Sequence, residues 1–436
     1  MSGINRRVLG SATNNEGVKV PSISAEKQLS RLVLASMLWE KQFYLDGVDH
    51  ANLIRDLVTK VAPEKVAALA LKARSQFKLR HIPLLLSREL ARVGKLEASV
   101  LTSVIQRADE MGEFLSIYWK DGKTALSNQV KKGLAGAFVK FNEYQLAKND
   151  KNSASVSIRD VMFLAHPKPT SAEQESLFKR VANQELKTPD TWETQLSAGA
   201  DKKETFSRLM DEKKLGALAF LRNLRNMVEA GVPESAIRAY GAALDVSKVL
   251  PFRYLAAARI VPQFEDMLEG MMLRSLVNSE KLPGKTILLV DISPSMFGTK
   301  VSAKSDLDRY DAAAALAVLC REVCEEVEIY SFSNNTVRVP ARRGMVLVEA
   351  IKHSQLRVGT LLGKAVRFVN AVGYDRLIVI TDEESQDTVP APKGDKGYIL
   401  NVASYKNGVN HAAWTTVTGF SESVIDYIRE SEKENS

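Results

Sequence analysis

The stretch Thr286 to Met296, TILLVDISPSM, constrains the fold of this chain more than any other. Thr286 to Val290 are apolar or β-branched without alternation, the pattern of a parallel strand buried on both faces. Such a strand needs a neighbour on each side and helices on both faces. It stops at Asp291, and oxygen-bearing side chains then recur at every second position, Asp291, Ser293 and Ser295, around the stiff Pro294. In an open α/β sheet, ligands bind beyond the carboxyl ends of the strands, where strand order reverses. One carboxylate and two hydroxyls are hard donors, suited to a small divalent cation, most simply Mg²⁺.

Two further oxygen donors stand at the ends of later elements. Thr360 lies in RVGTLLGKAV, a loop ahead of an amphipathic helix, and Asp382 closes the strand-like DRLIVITD. Asp291, Ser293, Ser295, Thr360 and Asp382 together resemble the metal-ion-dependent adhesion site of von Willebrand factor A domains, over Gly284 to Ser436. The competing reading is that Ser293 and Ser295 cap a helix and Asp382 is an ordinary strand-end carboxylate.

The chain around this stretch divides by periodicity. From Ala25 to about Leu276 apolar residues recur at helical spacing, with Gly, Pro, Asp or Asn at the junctions. Consecutive amphipathic helices with short turns suggest stacked pairs, as in an α-solenoid. Pro283-Gly284 marks a change, after which TILLV, VEIYSFS, DRLIVIT and KGYILNVA read as strands. Helices are expected between them at about 306–325, 344–353 and 362–372. The expected organisation is multidomain: an N-terminal extension 1–24, an all-α helical-repeat part 25–283, and a doubly wound α/β domain 284–436. SESVIDYIRE should form a last helix with a frayed, charged tail.

Charge sharpens the division. Residues 1–285 carry 43 Lys and Arg against 32 Asp and Glu, whereas residues 286–436 carry 17 against 20. A basic first part points to a polyanionic partner, although solvated helix faces would give the same balance. The densest run is Lys72 to Arg92, with Lys72, Arg74, Lys78, Arg80, His81, Arg88 and Arg92 against one acid, Glu89. Lys120, Lys123, Lys131, Lys132, Lys140, Lys148 and Lys151 extend it, with Tyr118, Trp119 and Tyr144 as stacking platforms or core residues. The longest apolar run, Ala312 to Leu319, falls far short of the ~20 residues of a membrane span. Nothing near the N-terminus reads as a signal-peptide core, so a cytoplasmic protein is expected. Cys320 and Cys324, four apart in a helical pattern, are expected to be packed thiols.

Several stretches resemble, in order, pieces of the TROVE module, the RNA-binding module of the Ro autoantigen and its bacterial or phage-type homologues. They are LKARSQFKLRHIPLLLSREL, VKKGLAGAFVKFNEYQLAK, SIRDVMFLAHPKP, LGALAFLRNLRNM, VLPFRYLAAARI and the closing GFSESVIDYI. The resemblance implies a ring of HEAT-like repeats held closed by the A domain, and therefore a monomer. It implies that single-stranded 3′ ends of misfolded RNA enter the ring and that a small Y-like RNA binds outside, in RNA quality control or maturation. An exoribonuclease tethered through the RNA is compatible with this. His166 in AHPKP matches a histidine the family uses near its outer RNA surface, with Lys148 and Lys151 approximating basic residues ahead of it. His166 is equally placed to cap a helix C-terminus.

Catalysis finds no support in the sequence. There is no G-x-S-x-G elbow and no phosphate-binding G-x-x-x-x-G-K-[ST] loop, and the five histidines stand in unrelated contexts. An aspartyl phosphatase would carry a second Asp two residues after Asp291, where Ser293 stands. The rival to an RNA-binding protein is a metal-dependent adaptor, in which a partner's acidic side chain completes the cation's shell. Such an adaptor has no need of the basic helical part.

Overall fold

The computed structural model describes residues 24–35, 44–77, 79–150, 155–249, 251–300, 307–382, 385–394, 396–402, 414–418 and 424–433. Contacts divide the chain into two compact units, residues 23–34 with 39–190, and a second comprising 191–436 with short N-terminal pieces. The change from helix to alternating strand and helix at residue 283 therefore does not coincide with the division by contact, which falls at 190/191.

The first unit is helical throughout its described residues: α1 (Ala25–Ala35), α2 (Tyr44–Val58), α3 (Pro63–Ser75), α4 (His81–Arg92), α5 (Ala98–Val104), α6 (Asp109–Tyr118), α7 (Asn128–Phe138), α8 (Glu143–Asn149), α9 (Ile158–Ala165) and α10 (Ala172–Asn183). Local chemistry sets the breaks. Pro63 occupies the first turn of α3, Ser127 caps α7, and Asn142 with Gln145 forms a capping box that starts α8. The capping box thereby separates α7 from α8 within VKKGLAGAFVKFNEYQLAK. The α5–α7 contact is close because a Cβ at Gly133 would sit 2.8 Å from Leu101 Cβ. Leu101, Met111, Phe114, Leu134 and Phe138 fill the core between these helices.

The second unit opens with six helices, α11 (Trp192–Ser197), α12 (Lys202–Asp211), α13 (Ala217–Glu229), α14 (Glu234–Ala243), α15 (Pro251–Ile260) and α16 (Glu265–Leu276). The sheet and its helices follow: β1 (Leu282–Asp291), α17 (Arg309–Val323), β2 (Cys324–Phe332), β3 (Thr336–Arg338), α18 (Gly344–Lys352), α19 (Leu362–Val372), β4 (Arg376–Thr381), β5 (Gly397–Asn401), β6 (Thr415–Thr418) and α20 (Val424–Lys433). The strand order is β3-β2-β1-β4-β5-β6, parallel except for the antiparallel edge strand β3. Chain order runs outward in both directions from β1, so the switch point lies between β1 and β4. Ile287 to Val290 are fully buried, as expected of a strand covered on both faces.

Three expectations need correction. β1 begins at Leu282, so Pro283 and Gly284 lie within the strand and are not a linker. The helix before β2 ends at Val323, not near 325: Cys324, whose N–H still donates to Cys320 O as the helix's C-cap, starts the strand, and both thiols are buried and free, as expected. The last helix is anchored at its charged end, because Glu432 receives both nitrogens of the Arg376 fork, at 2.5 Å from Nε and also from Nη2.

Arg376 is fully buried at the start of β4 and also donates to Thr286 Oγ1 at 2.9 Å, binding α20 to two central strands. Burial alone would raise the Glu432 carboxyl, but bonds from Arg376 and Lys396 outweigh it and hold the group below its ordinary value. Its contribution is therefore present above the unfolded carboxyl pKa and lost as pH falls through the lower folded one. Arg376→Met should cost about 3 kcal/mol in urea unfolding, the usual loss when one partner of a buried pair is removed. A loss below about 1 kcal/mol would show that the pair does not anchor α20.

The helices α15 and α16 pack on α17 and α18. Arg259 Nη2 meets Asp311 Oδ1 at 2.6 Å, and Glu269 Oε1 accepts from Met345 N at 2.8 Å. Gly344 has φ +59°, and a Cβ there would fall 2.0 Å from Glu269 Oε1. A side chain at this start of α18 would strain the backbone and displace the Glu269 carboxylate from Met345 N.

Candidate functional site

At the carboxyl end of β1, Asp291 is fully buried and held from two sides. Its Oδ1 accepts from Ser293 N at 2.8 Å and its Oδ2 from Thr381 Oγ1, the last residue of β4, at 2.6 Å. Ser293 opens a short 3-10 turn, Pro294–Met296, yet its side chain makes no cap bond there. Its Oγ lies 3.1 Å from Ser295 Oγ instead. The helix-capping reading of these serines therefore does not describe Ser293.

The other two donors reach the same edge by separate routes. Phe332, ending β2, is in register with Asp291, and the next residue, Ser333, accepts from Val358 N and Gly359 N at 3.0 and 3.2 Å. Leu361 N donates back to Ser333 O at 2.9 Å, so the Thr360 loop is clipped to the end of β2, with Thr360 buried. Gln386 N donates to Thr360 O at 2.9 Å, and Asp387 accepts from Gly363 N and Lys364 N at 2.7 and 2.8 Å, capping α19 from outside the helix. Phe297 stacks on Tyr310 with centroids 4.6 Å apart, and the Arg357 guanidinium lies 4.0 Å above the Phe297 ring. This stack ties the Thr360 loop to the loop that carries Ser295.

Asp382, one residue past β4, is also buried, and its Oδ2 accepts from Arg309 Nη1 at 2.8 Å. Arg309 is the first residue of α17, whose start is fixed by an Asp308–Asp311 capping box. The sequence reading missed Arg309, Thr381, Ser333 and Asp387. Only Asp387, in TDEESQD, stands in a conspicuous local pattern.

The donor set suits a hard divalent cation. Burial, and after it the neighbouring Asp382 carboxylate, push Asp291 up to about 7, against hydrogen bonds from Thr381 and Ser293. A carboxylate so disfavoured in its charged form is what a bound cation would relieve. Among the described residues no cluster of three or more His, Cys, Asp or Glu side chains could hold a metal, so a site here depends on hydroxyls as well as its two carboxylates.

The basic positions separate into two groups in the first unit. Arg74 donates to both oxygens of the buried Glu110 at 2.6 and 2.8 Å, and Arg80 reaches Asp109 at 2.7 Å and also Glu113. Arg88, buried, pairs with Glu89 and Asp121, and Arg92 meets Glu89 at 2.6 Å. His81 lies 3.8 Å from Glu113, and Lys72 is half-buried. Apart from Glu89 within the run, the acids that match it come from α6 and the segment after it. Lys120, Lys123, Lys131, Lys132 and Lys148 are exposed, as the sequence reading requires. Lys123 Nζ lies 5.1 Å above the Trp119 ring and Lys148 Nζ 5.7 Å above Tyr144, itself exposed. Another couple, Arg159 over the half-exposed Phe163 at 5.4 Å, was not foreseen. His166 is exposed and caps α9 in the left-handed conformation, φ 50°, donating its N–H to Met162 O. Lys78 and Lys151 lie outside the described residues.

A doubly wound sheet with a D-x-S-x-S turn at its switch point, preceded by a long run of helices, defines an A-type domain on a helical-repeat protein. Comparison with known proteins adds a partial domain match and a shared fold. The TROVE domain matches residues 179–319, a span that runs from α10 into α17. The crystal structure of the Deinococcus radiodurans Ro (RSR) protein shares this fold, with a TM-score of 0.69 at 18% identity over 93% of this chain and 98% of that one. No curated protein matches significantly. A TROVE-domain match over residues 179–319 thus lies within a chain that shares the fold of the Ro protein.

The sign of the Asp291 shift gives a prediction for metal-free protein. A carboxyl raised from its ordinary value to about 7 favours the folded state while protonated, so stability should fall as pH rises from about 4 to about 7. Added Mg²⁺ or Mn²⁺ should restore stability most at pH 8, and Asp291→Ala should remove both the pH trend and the ion's effect. Melting curves in chelator and in metal at pH 5 and pH 8 measure this. An equal ion effect in the Asp291→Ala protein would exclude the site.

Proposed function

We propose that this protein is a non-catalytic RNA-binding protein of the Ro type. The TROVE domain within a Ro fold covering 93% of the chain carries this reading. In it, a small Y-like RNA binds the outer surface and single-stranded 3′ ends of misfolded or structured RNA bind the helical repeats, in RNA quality control or maturation. The protein acts in the cytoplasm as a monomer, with an exoribonuclease tethered through the RNA. The exposed lysines and the cation-aromatic couples at Trp119, Tyr144 and Phe163 support it, since they offer phosphate neutralisation and stacking faces without base readout. The ion-paired Arg74, Arg80 and Arg88 act in this reading as the frame of that unit, and the exposed lysines and His166 meet the RNA.

Asp291, Ser293, Ser295, Thr360 and Asp382 would hold the divalent cation, most simply Mg²⁺. The ion would supply charge neutralisation for the two buried carboxylates. A second reading, an adaptor whose partner donates an acidic side chain to the ion, is favoured by exposed Leu356 and Val358 on the loop that carries Thr360.

The RNA reading is tested with fluorescence-labelled duplexes, blunt or with a 3′ single-stranded tail. The tailed RNA should bind more tightly, with affinity that falls as salt rises. Lys123→Glu with Lys131→Glu should weaken binding at least about tenfold and reduce the salt slope by about 2. Unchanged affinity at low salt, or no preference for the tail, would overturn the assignment.

A further inference from the structure

Arg309 is a feature of the α/β unit that the strand-end pattern does not account for. A guanidinium sits among the oxygen donors of the switch point, 2.8 Å from Asp382, with both side chains almost completely buried. Its place is not incidental. The capping box fixes the first turn of α17, Arg309 N donates to Thr299 O at 3.0 Å, and Asp311 two residues on is gripped by Arg259 of α15. The arginine is thus delivered to the site from a rigid element, not from a flexible rim.

The charge count explains what it does there. Asp291 and Asp382, both buried, bring two negative charges, and Arg309 returns one positive charge, leaving a net of one negative. A divalent cation entering beside the guanidinium leaves an excess positive charge, whereas without the guanidinium it would neutralise the two carboxylates. In a buried site with weak screening, a like charge a few ångströms away is a strong penalty. An uncompensated pair of carboxylates, in turn, would destabilise the metal-free fold.

Resting on the metal reading given above, we propose that Arg309 is the resident counter-ion of this site: it holds Asp382 in the metal-free protein and keeps divalent affinity low. The hydroxyls of Ser293, Ser295 and Thr360 and the Asp291 carboxylate then form the part of the shell that is always available to the ion. Asp382 joins only as far as the guanidinium yields it. Arg309 is a positioning and affinity-setting residue, not itself a ligand.

The test uses the full chain, as wild type, Arg309→Gln and Arg309→Lys, titrated with Mn²⁺ at pH 8 by calorimetry and followed by melting. Arg309→Gln, which removes the charge, should melt lower in chelator yet bind Mn²⁺ at least about tenfold more tightly than wild type, with a larger rise in Tm. Arg309→Lys, which keeps the charge, should bind close to wild type. Binding by Arg309→Gln no tighter than wild type overturns the inference while leaving the metal site standing. Equal tightening by Arg309→Lys also overturns it, since shape and not charge would then set affinity. Should Arg309→Gln fold only with Mn²⁺ present, dialysis against graded Mn²⁺ yields its affinity. Failure to fold even then counts against the inference, because the ion should replace the guanidinium. Silence of all three proteins toward Mn²⁺, in heat and in melting, overturns the metal reading and this inference together.

Discussion

The burial of β1 between two parallel neighbours is the constraint on which the α/β unit depends. β1 pairs with β2 on one side and β4 on the other, in registers that bring Asp291 level with Phe332 and Val290 level with Ile380. Once those registers are set, the residues following each strand emerge side by side: Ile292 and Ser293 after β1, Ser333 after β2, Asp382 after β4. A one-residue slip would reverse every side chain on the strand, driving Leu288 or Val290 out of its packed layer. The same apolar contacts that hold the sheet therefore fix the spacing of the oxygen donors. This lets a site be assembled from residues 90 positions apart, as in the hydrogen bond from Thr381 to Asp291.

A second consequence concerns the helices before the sheet. α15 and α16 belong to the same compact unit as β1 to β6, and their links run to the starts of α17 and α18. Arg259 grips Asp311 in the first turn of α17, while Arg309 in that same turn reaches Asp382. The turn has one face toward the preceding helices and one toward the donor cluster. The TROVE match, which runs from α10 into α17, includes α15, α16 and β1.

Much of this was legible in the sequence, for identifiable reasons. An unbroken apolar run signals a doubly covered strand whatever its context, so β1, β4 and β5 were evident. D-x-S-x-S was readable because its three donors are local, and Thr360 and Asp382 because each ends an element with a strong pattern. The short strands β3 and β6, three and four residues long, were not legible. Their pairing lies with neighbours, and their own residues carry too little periodicity. Cys324 was placed in the wrong element because CREVCEEV keeps helical spacing past Val323. Only the demand of β2 for its place beside Leu282 ends the helix there.

Charge was the least legible property, and the reason is instructive. Counted along the chain, residues 72 to 92 look like a bare cationic surface. In three dimensions Glu110, buried, takes Arg74, while Asp109 and Glu113 take Arg80 and Asp121 takes Arg88, each from 29 to 36 residues away. An arginine can be buried at tolerable cost because its flat fork satisfies several acceptors at once, whereas a lysine ammonium keeps its water more readily. The residue type was therefore the missing clue: in this unit the arginines of the dense run went inward to acids and the lysines stayed outside. The same rule places Arg309 and Arg376, the two most buried cations of the α/β unit's ion pairs, at Asp382 and Glu432. Reading Arg as frame and Lys as surface would have moved the expected polyanion contact from α3 and α4 toward Trp119, Lys123, Lys131 and Lys148, where the cation-aromatic couples lie.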